Sequence, residues 1–152
     1  MAKRSAGILL YRMRSWAPEV LLVHPGGPFW KNKDAGAWSL PKGEFGADEE
    51  PVAAALREFE EETGFRPGSE ALIELGEVRQ RGGKVVAAWA AEGEFEVGSL
   101  RSNLVEIAWP PRSGRTLRVP EVDRAEWFVP DAAREKLVPA QAEFVTRLLD
   151  AL

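Results

Sequence analysis

The stretch from Gly43 to Phe65, GEFGADEEPVAAALREFEEETGF, constrains this chain more than any other, because it specifies a helix with two dissimilar faces. Pro51 suits the first turn of a helix, and Gly64 suits the position just past its end, where a left-handed backbone closes the last carbonyls. The pattern between them predicts a helix from about Pro51 to Thr63. At roughly 100° per residue, Val52, Ala55, Leu56 and Phe59 share an arc that would dock the helix against a sheet. Glu58, Glu61 and Glu62 fall within about 100° of one another on the adjoining arc, and Glu60 points away to solvent.

Three carboxylates on one helical face repel one another, by a few tenths of a kcal/mol per exposed pair, and by more where a cleft removes water. A glutamate-rich face is ordinarily a solvated one. A cation would also relieve the repulsion, and a hard ion such as Mg²⁺ or Mn²⁺ suits all-oxygen ligands while bridging carboxylates to substrate phosphates.

The neighbouring residues decide between these readings. Gly43, five residues, Glu49, seven residues, Arg57, Glu58, apolar Phe59, one residue, Glu61, Glu62, one residue, Gly64 and apolar Phe65 reproduce the complete Nudix box. Nine specified positions in 23 residues, with a helix at the right place, are far more specific than a lone glycine motif. The segment thus resembles the Nudix hydrolases, which cleave nucleoside diphosphates linked to another moiety. That resemblance implies an α/β fold, an α/β/α sandwich with a mixed β-sheet. It also implies that Glu58, Glu61 and Glu62 are metal ligands, that Arg57 orients them, and that the loop at Gly43 lies over the metal, which is expected to be Mg²⁺, with Mn²⁺ as the alternative. Arg57 stands four residues before Glu61, a spacing that also suits an ordinary surface ion pair. Gly43 and Gly46 flank a loop that must bend closely.

Length and composition are consistent with one small enzyme. A chain of 152 residues fits a single domain, 1–152, able to bury about 70% of its unfolded surface. It has no cysteine, so no disulfide framework, thiolate zinc site or thiol nucleophile can be proposed. No apolar run approaches the 18 or so residues of a membrane span, and the first fourteen residues do not read as a signal peptide. A cytoplasmic protein with no membrane partner is the expectation. The formal charge of −4 argues against duplex nucleic acid as a partner, because such binding rests on lysines and arginines neutralising phosphates. The pattern does not specify an oligomeric state.

Strand-like runs recur along the chain. SAGILLYR and EVLLVH predict a hairpin around a loop at Met13 to Pro18, AWSL reads as a short strand feeding the box, and ALIELGEVRQ with KVVAAWAAEG predicts a second hairpin. NLVEIAW and TLRVPEV flank the turn PPRSGR, and AEWFVP reads as a last strand. Asp131 can cap a short helix. Pro139 can open another, in which Ala142, Val145, Leu148 and Leu149 share one face.

Hydrolysis also needs a base. Many Nudix enzymes carry a further glutamate outside the box, shortly before a late Glu-Trp element, and the resemblance points to Glu121, five residues before Glu126 and six before Trp127. Glu121 is expected to be general base or extra metal ligand; Asp123 and Glu106 are the alternatives, and each is equally readable as a surface carboxylate. Glu61 and Arg57 complete the expected catalytic set. Lys42 could meet a phosphate as a point charge, and Arg112, with Arg115 and Arg118, could clamp a polyphosphate from the PPRSGR turn, although both settings also suit solvated turns. Phe29 and Trp30 lie in a turn-rich loop and are the best candidates for an aromatic platform under a base. Trp38, Trp89, Trp109 and Trp127 read as packing residues. His24, the only histidine, has no partner pattern for a metal or a triad and reads as structural or peripheral.

The expected small-molecule partner is a nucleotide. A nucleoside triphosphate or a dinucleoside polyphosphate fits best, LPKGE tilting toward the latter by its similarity to diadenosine polyphosphate hydrolases. The subgroup signs of ADP-ribose and coenzyme A hydrolases are missing, and so is the downstream tyrosine of many diadenosine polyphosphate hydrolases, Tyr11 being the only tyrosine. Two other classes remain open: a Nudix module that senses a nucleotide without cleaving it, and an RNA 5′-end pyrophosphohydrolase.

Overall fold

The computed structural model describes residues 3–152. Alternating apolar residues build a mixed sheet from β1 (Arg4–Arg14), β2 (Ala17–Pro25), β3 (Lys42–Glu44), β4 (Ile73–Arg79), β5 (Val85–Glu92) and β8 (Val122–Phe128). The order is β4-β5-β1-β2-β8, with β3 paired to β1. Only β1 and β5 run parallel; the other pairings are antiparallel. β6 (Leu104–Ala108) and β7 (Thr116–Pro120) form a separate two-stranded sheet.

Helices cover both faces, as the sequence resemblance implies. On one face α1 (Pro51–Thr63) packs Ala54, Ala55, Leu56 and Phe59 against Ala6, Ile8, Leu10, Leu21 and Val23. On the other, α3 (Ala142–Ala151) packs Phe144, Val145 and Leu148 against Leu9, Leu22, Leu75 and Val86, with Ala133 of α2 (Pro130–Lys136) beside them. Strand residues alternate between the two cores, odd β1 positions with α3 and even ones with α1, as the period of two requires.

Several local expectations change. The first hairpin turns on two residues, Ser15 and Trp16, both at positive φ (50° and 69°), so pairing extends through Met13–Pro18 and Arg14–Ala17. That geometry matches strand twist, which is why short hairpins adopt it. AWSL is not a strand: Trp38 and Ser39 make only isolated bridges, to Leu137 and Val23, and β3 begins at Lys42. Trp38 is instead a core residue, its indole N–H donating to Asp34 Oδ1 at 2.8 Å. Asp131 lies in the first turn of α2, but Val129 holds the cap position. Phe144, outside the expected apolar set, fills the core while Ala142 is only half-buried. Among the described residues no helix is long and apolar enough to cross a membrane.

Candidate active site

The site grows from the way α1 lies on the sheet. Its buried side includes Glu58 and Glu62 as well as Ala54, Ala55, Leu56 and Phe59, whereas Val52, expected in the apolar stripe, is half-buried. The helix is therefore rolled so that two carboxylates face inward, one turn apart. Glu61 stays at the exposed rim, and Glu60 turns to solvent and pairs with Arg66.

Gly43 explains how Glu58 reaches its place. A Cβ on Gly43 would stand 2.0 to 2.4 Å from the Glu58 carboxyl atoms, so only glycine leaves room for the carboxylate against the β3 backbone. Burial, and then the neighbouring Glu61, push the Glu58 carboxyl above its ordinary value, while Arg57 opposes the shift.

Arg57 organises one half of the site. Its Nε and Nη2 donate to the two oxygens of Glu49 at 2.8 and 2.9 Å, a bidentate fork. Its Nη1 donates to Glu58 at 3.0 Å and to Glu61 at 3.1 Å. These bonds, led by the pair with Glu49, hold the guanidinium above its ordinary pKa and Glu49 below its own. Glu49 is a box position to which the sequence assigns no role; its fixed eight-residue spacing from Arg57 is the signal that it anchors the arginine.

The other half is a cleft of about 150 Å³ lined by Val23, Pro25, Ala37, Ser39, Lys42, Glu62, Glu121 and Val122. Glu62 is 4% exposed, and burial followed by the charge of Glu121 pushes its carboxyl well above the ordinary value, with Lys42 pulling the other way. The Lys42 ammonium is pushed down by burial and by the nearby Lys84, and is drawn up by Glu62, Glu121 and Glu44. Lys42, Glu62 and Glu121 thus meet although 79 residues separate the first from the last.

Backbone hydrogen bonds bring Glu121 there. Past α1, Arg101 and Asn103 donate their N–H groups to the carbonyls of Thr63 and Glu61, both at 2.9 Å. Asn103 accepts in turn from the Glu121 N–H at 2.9 Å, and the Glu121 carbonyl accepts from Gly26 at 3.0 Å. Gly26 fits only as glycine, because a Cβ would stand 2.1 Å from the Pro120 carbonyl oxygen. No sequence pattern announces the 101–103 segment as the link between helix and loop.

The alternatives to Glu121 lie elsewhere. Asp123 bonds His24, and Glu106 accepts from Thr116 Oγ1 at 2.9 Å on the β6–β7 hairpin. Arg112 sits at the exposed turn of that hairpin at φ 60°, outside the cleft lining, and Arg115 and Arg118 are exposed as well. Phe29 and Trp30 also stand outside the cleft lining, on the loop that leaves Pro25 at its edge. They pack edge to face at 4.9 Å with the Lys33 ammonium 4.1 Å over the Phe29 ring, and Phe29 is 54% exposed.

Glu58, Glu61, Glu62 and Glu121 offer only oxygen donors, and burial of Glu58 and Glu62 makes their ionised forms costly without a cation beside them; the chemistry fits a hard divalent ion. Among the described residues no three such groups already converge as a ligand set, so ligation would draw Glu61 away from Arg57.

A sequence model of the NUDIX domain matches residues 1–148. No match is found among individual curated proteins. Solved structures with the same fold include an Ap4A hydrolase of C. elegans in a binary complex, 20% identical, covering 99% of this chain and 97% of that one with a TM-score of 0.64. The NUDIX domain of Shewanella oneidensis NrtR complexed with ADP ribose is 16% identical over 99% and 88%, with a TM-score of 0.65. A MutT protein from Methanosarcina mazei Go1 is 22% identical over 99% and 94%, with a TM-score of 0.62.

Proposed function

We propose, starting from the plain fact that this chain belongs to the Nudix family, that it hydrolyses a diphosphate linkage in a nucleoside polyphosphate, either a nucleoside triphosphate or a dinucleoside polyphosphate. The observation that carries the reading is the joining of Lys42, Glu62 and Glu121 in one cleft beside Glu58. At about 150 Å³ the cleft is smaller than the 300 Å³ or more usual for a whole small-molecule ligand. It suits phosphate groups, which leaves the nucleoside outside.

Glu58, Glu61 and Glu62 are the residues to hold Mg²⁺, or Mn²⁺, with Glu121 as a further ligand or as the base. A divalent ion bound there supplies Lewis acidity at the phosphoryl oxygens and charge neutralisation for the leaving group. The chain's own residues do the rest. Lys42 sets a half-buried ammonium against the phosphates, Arg57 fixes the directions of Glu58 and Glu61, and Glu121, in its role as base, takes a proton from the attacking water. Exposed Phe29, with half-buried Trp30 beside it, offers stacking area to the base, in the range of about 1 to 3 kcal/mol per base. Support for a dinucleoside polyphosphate comes from LPKGE at residues 40–44 and from the likeness to an Ap4A hydrolase.

The deciding experiment incubates purified protein and Mg²⁺ with nucleoside triphosphates, dinucleoside polyphosphates, ADP-ribose and 5′-triphosphorylated RNA, and resolves the products. Turnover of the first two classes well above the others is the expected result. Tight binding without turnover anywhere would replace the reading with a sensor, and a preference for RNA ends would replace the substrate class.

A further inference from the structure

His24 is fully buried at the end of β2, and both ring nitrogens are engaged. Its Nε2–H donates to the Lys33 carbonyl at 2.7 Å, and its Nδ1 is hydrogen-bonded to Asp123 Oδ1 at 2.8 Å. The ring packs edge-on against Trp38 with centroids 5.2 Å apart. One side chain therefore ties the loop carrying Phe29 and Trp30 to the start of β8.

Asp123 is two residues past Glu121, which lies in the bend that opens β8, so backbone held at Asp123 is the backbone that carries Glu121 out of that bend. Between them Val122 is buried, and the β2–β8 register shifts between His24 and Pro25, the point at which β2 passes the Glu121 segment. The backbone N–H and carbonyl of Glu121 are both bonded, to Asn103 and Gly26. Its main chain is thus tied through Asn103 to α1 and through Gly26 to the end of β2, and what remains to be fixed is the direction in which the start of β8 presents the side chain.

We propose that the His24–Asp123 pair is a positioning device for Glu121: the buried imidazole holds Asp123, and through it the backbone that aims the Glu121 carboxylate into the cleft. A carboxylate–imidazole bond is well suited to this task because a packed, doubly bonded ring has one orientation, and loss of such supporting bonds costs 10- to 100-fold in related settings. The inference rests on the proposed role of Glu121 in hydrolysis.

A double-mutant cycle tests it. Asp123→Ala should lower kcat by about tenfold with KM little changed, while the melting temperature stays close to wild type because Asp123 is about a third exposed and leaves no cavity. Asp123→Asn should recover most of the loss, since its side-chain amide can either donate to Nδ1 or accept from it. In an Glu121→Gln background Asp123→Ala should change kcat by less than about twofold, the scatter expected of groups acting through one another. An equal loss in both backgrounds, or no loss in the wild-type one, overturns the positioning role. A Glu121→Gln protein as active as wild type overturns the role of Glu121 and this inference with it, whereas an impaired Glu121→Gln with additive Asp123→Ala overturns this inference alone.

Discussion

The two halves of the site reach their geometry by opposite routes. Around Arg57, one guanidinium serves Glu49, Glu58 and Glu61 through four hydrogen bonds, all from a 13-residue span of α1 and the turn before it. Around Lys42, a single ammonium faces Glu62 and Glu121 without a comparable fork, and the Glu62 carboxyl is pushed well up. The Arg57 half is a braced clamp, whereas the Lys42 half is a cleft with charge still to be neutralised. Local spacing along α1 and the turn before it sets the first, and chain crossings set the second.

The sharpest way to break this comparison is to remove a carboxylate from each half. Glu58→Gln and Glu62→Gln should each lower turnover by about 10³-fold or more, since metal ligation is asked to supply several kcal/mol of the barrier. Circular dichroism should show the fold retained. Near-wild-type rates for both at saturating Mg²⁺ would end the metal-site reading, and Glu60→Gln, turned to solvent, serves as a neutral control.

Next in size is Glu121→Gln, expected to lower kcat by about 10²-fold, the lower end of the scale for losing a general base. If the glutamate is the base, the acidic limb of the pH–rate profile disappears and added Mg²⁺ or Mn²⁺ does not help. If it is a ligand, the limb persists and the defect shrinks as metal is raised. Rates unchanged at every pH and metal concentration would remove Glu121 from the chemistry.

Arg57→Lys tests the clamp. A lysine keeps the charge but cannot reproduce the bidentate bond to Glu49 while reaching Glu58 and Glu61. A loss of about tenfold in activity or in metal affinity is expected, and an unchanged protein would mean that charge without geometry suffices.

The smallest effect is on stability. Because the folded Glu62 carboxyl holds its proton more tightly than an ordinary glutamate, its contribution to stability is complete below about pH 4 and is lost as pH rises through the raised folded value. In chelator-treated protein, Glu62→Gln should therefore melt higher than wild type at neutral pH, with the difference closing toward pH 4. Added Mg²⁺ should reverse the order by stabilising wild type more. The same melting curves with a Glu62→Gln protein less stable at neutral pH would show that Lys42 satisfies Glu62 fully.

Local patterns made much of this molecule legible. Pro51 and Gly64 bound α1 where the sequence puts it, with Gly64 at φ 82° and its N–H bonded to Glu60. The hairpins and the helical cover on both faces follow from period-two and helical patterns, because side-chain direction repeats with the backbone. Context outweighs propensity at AWSL, which has strand-forming residues, yet Trp38 spends its backbone on Lys136 and Val138 and its ring on the core.

The Arg57 cluster lies within α1 and the turn just before it, so its spacing in sequence largely sets its spacing in space. That much the sequence determined by itself, together with the family and the class of chemistry that the box implies. The roll of α1, which buries Glu58 and Glu62 while leaving Val52 half out, depends on what packs beneath it. The meeting of Lys42 with Glu121, the bond of His24 to Asp123 and the position of Arg112 outside the cleft lining depend on crossings between distant segments. Only the tertiary structure decided these, because hydrogen bonds such as Asn103 to Glu61 and Gly26 to Glu121 are made by backbone groups that every residue carries.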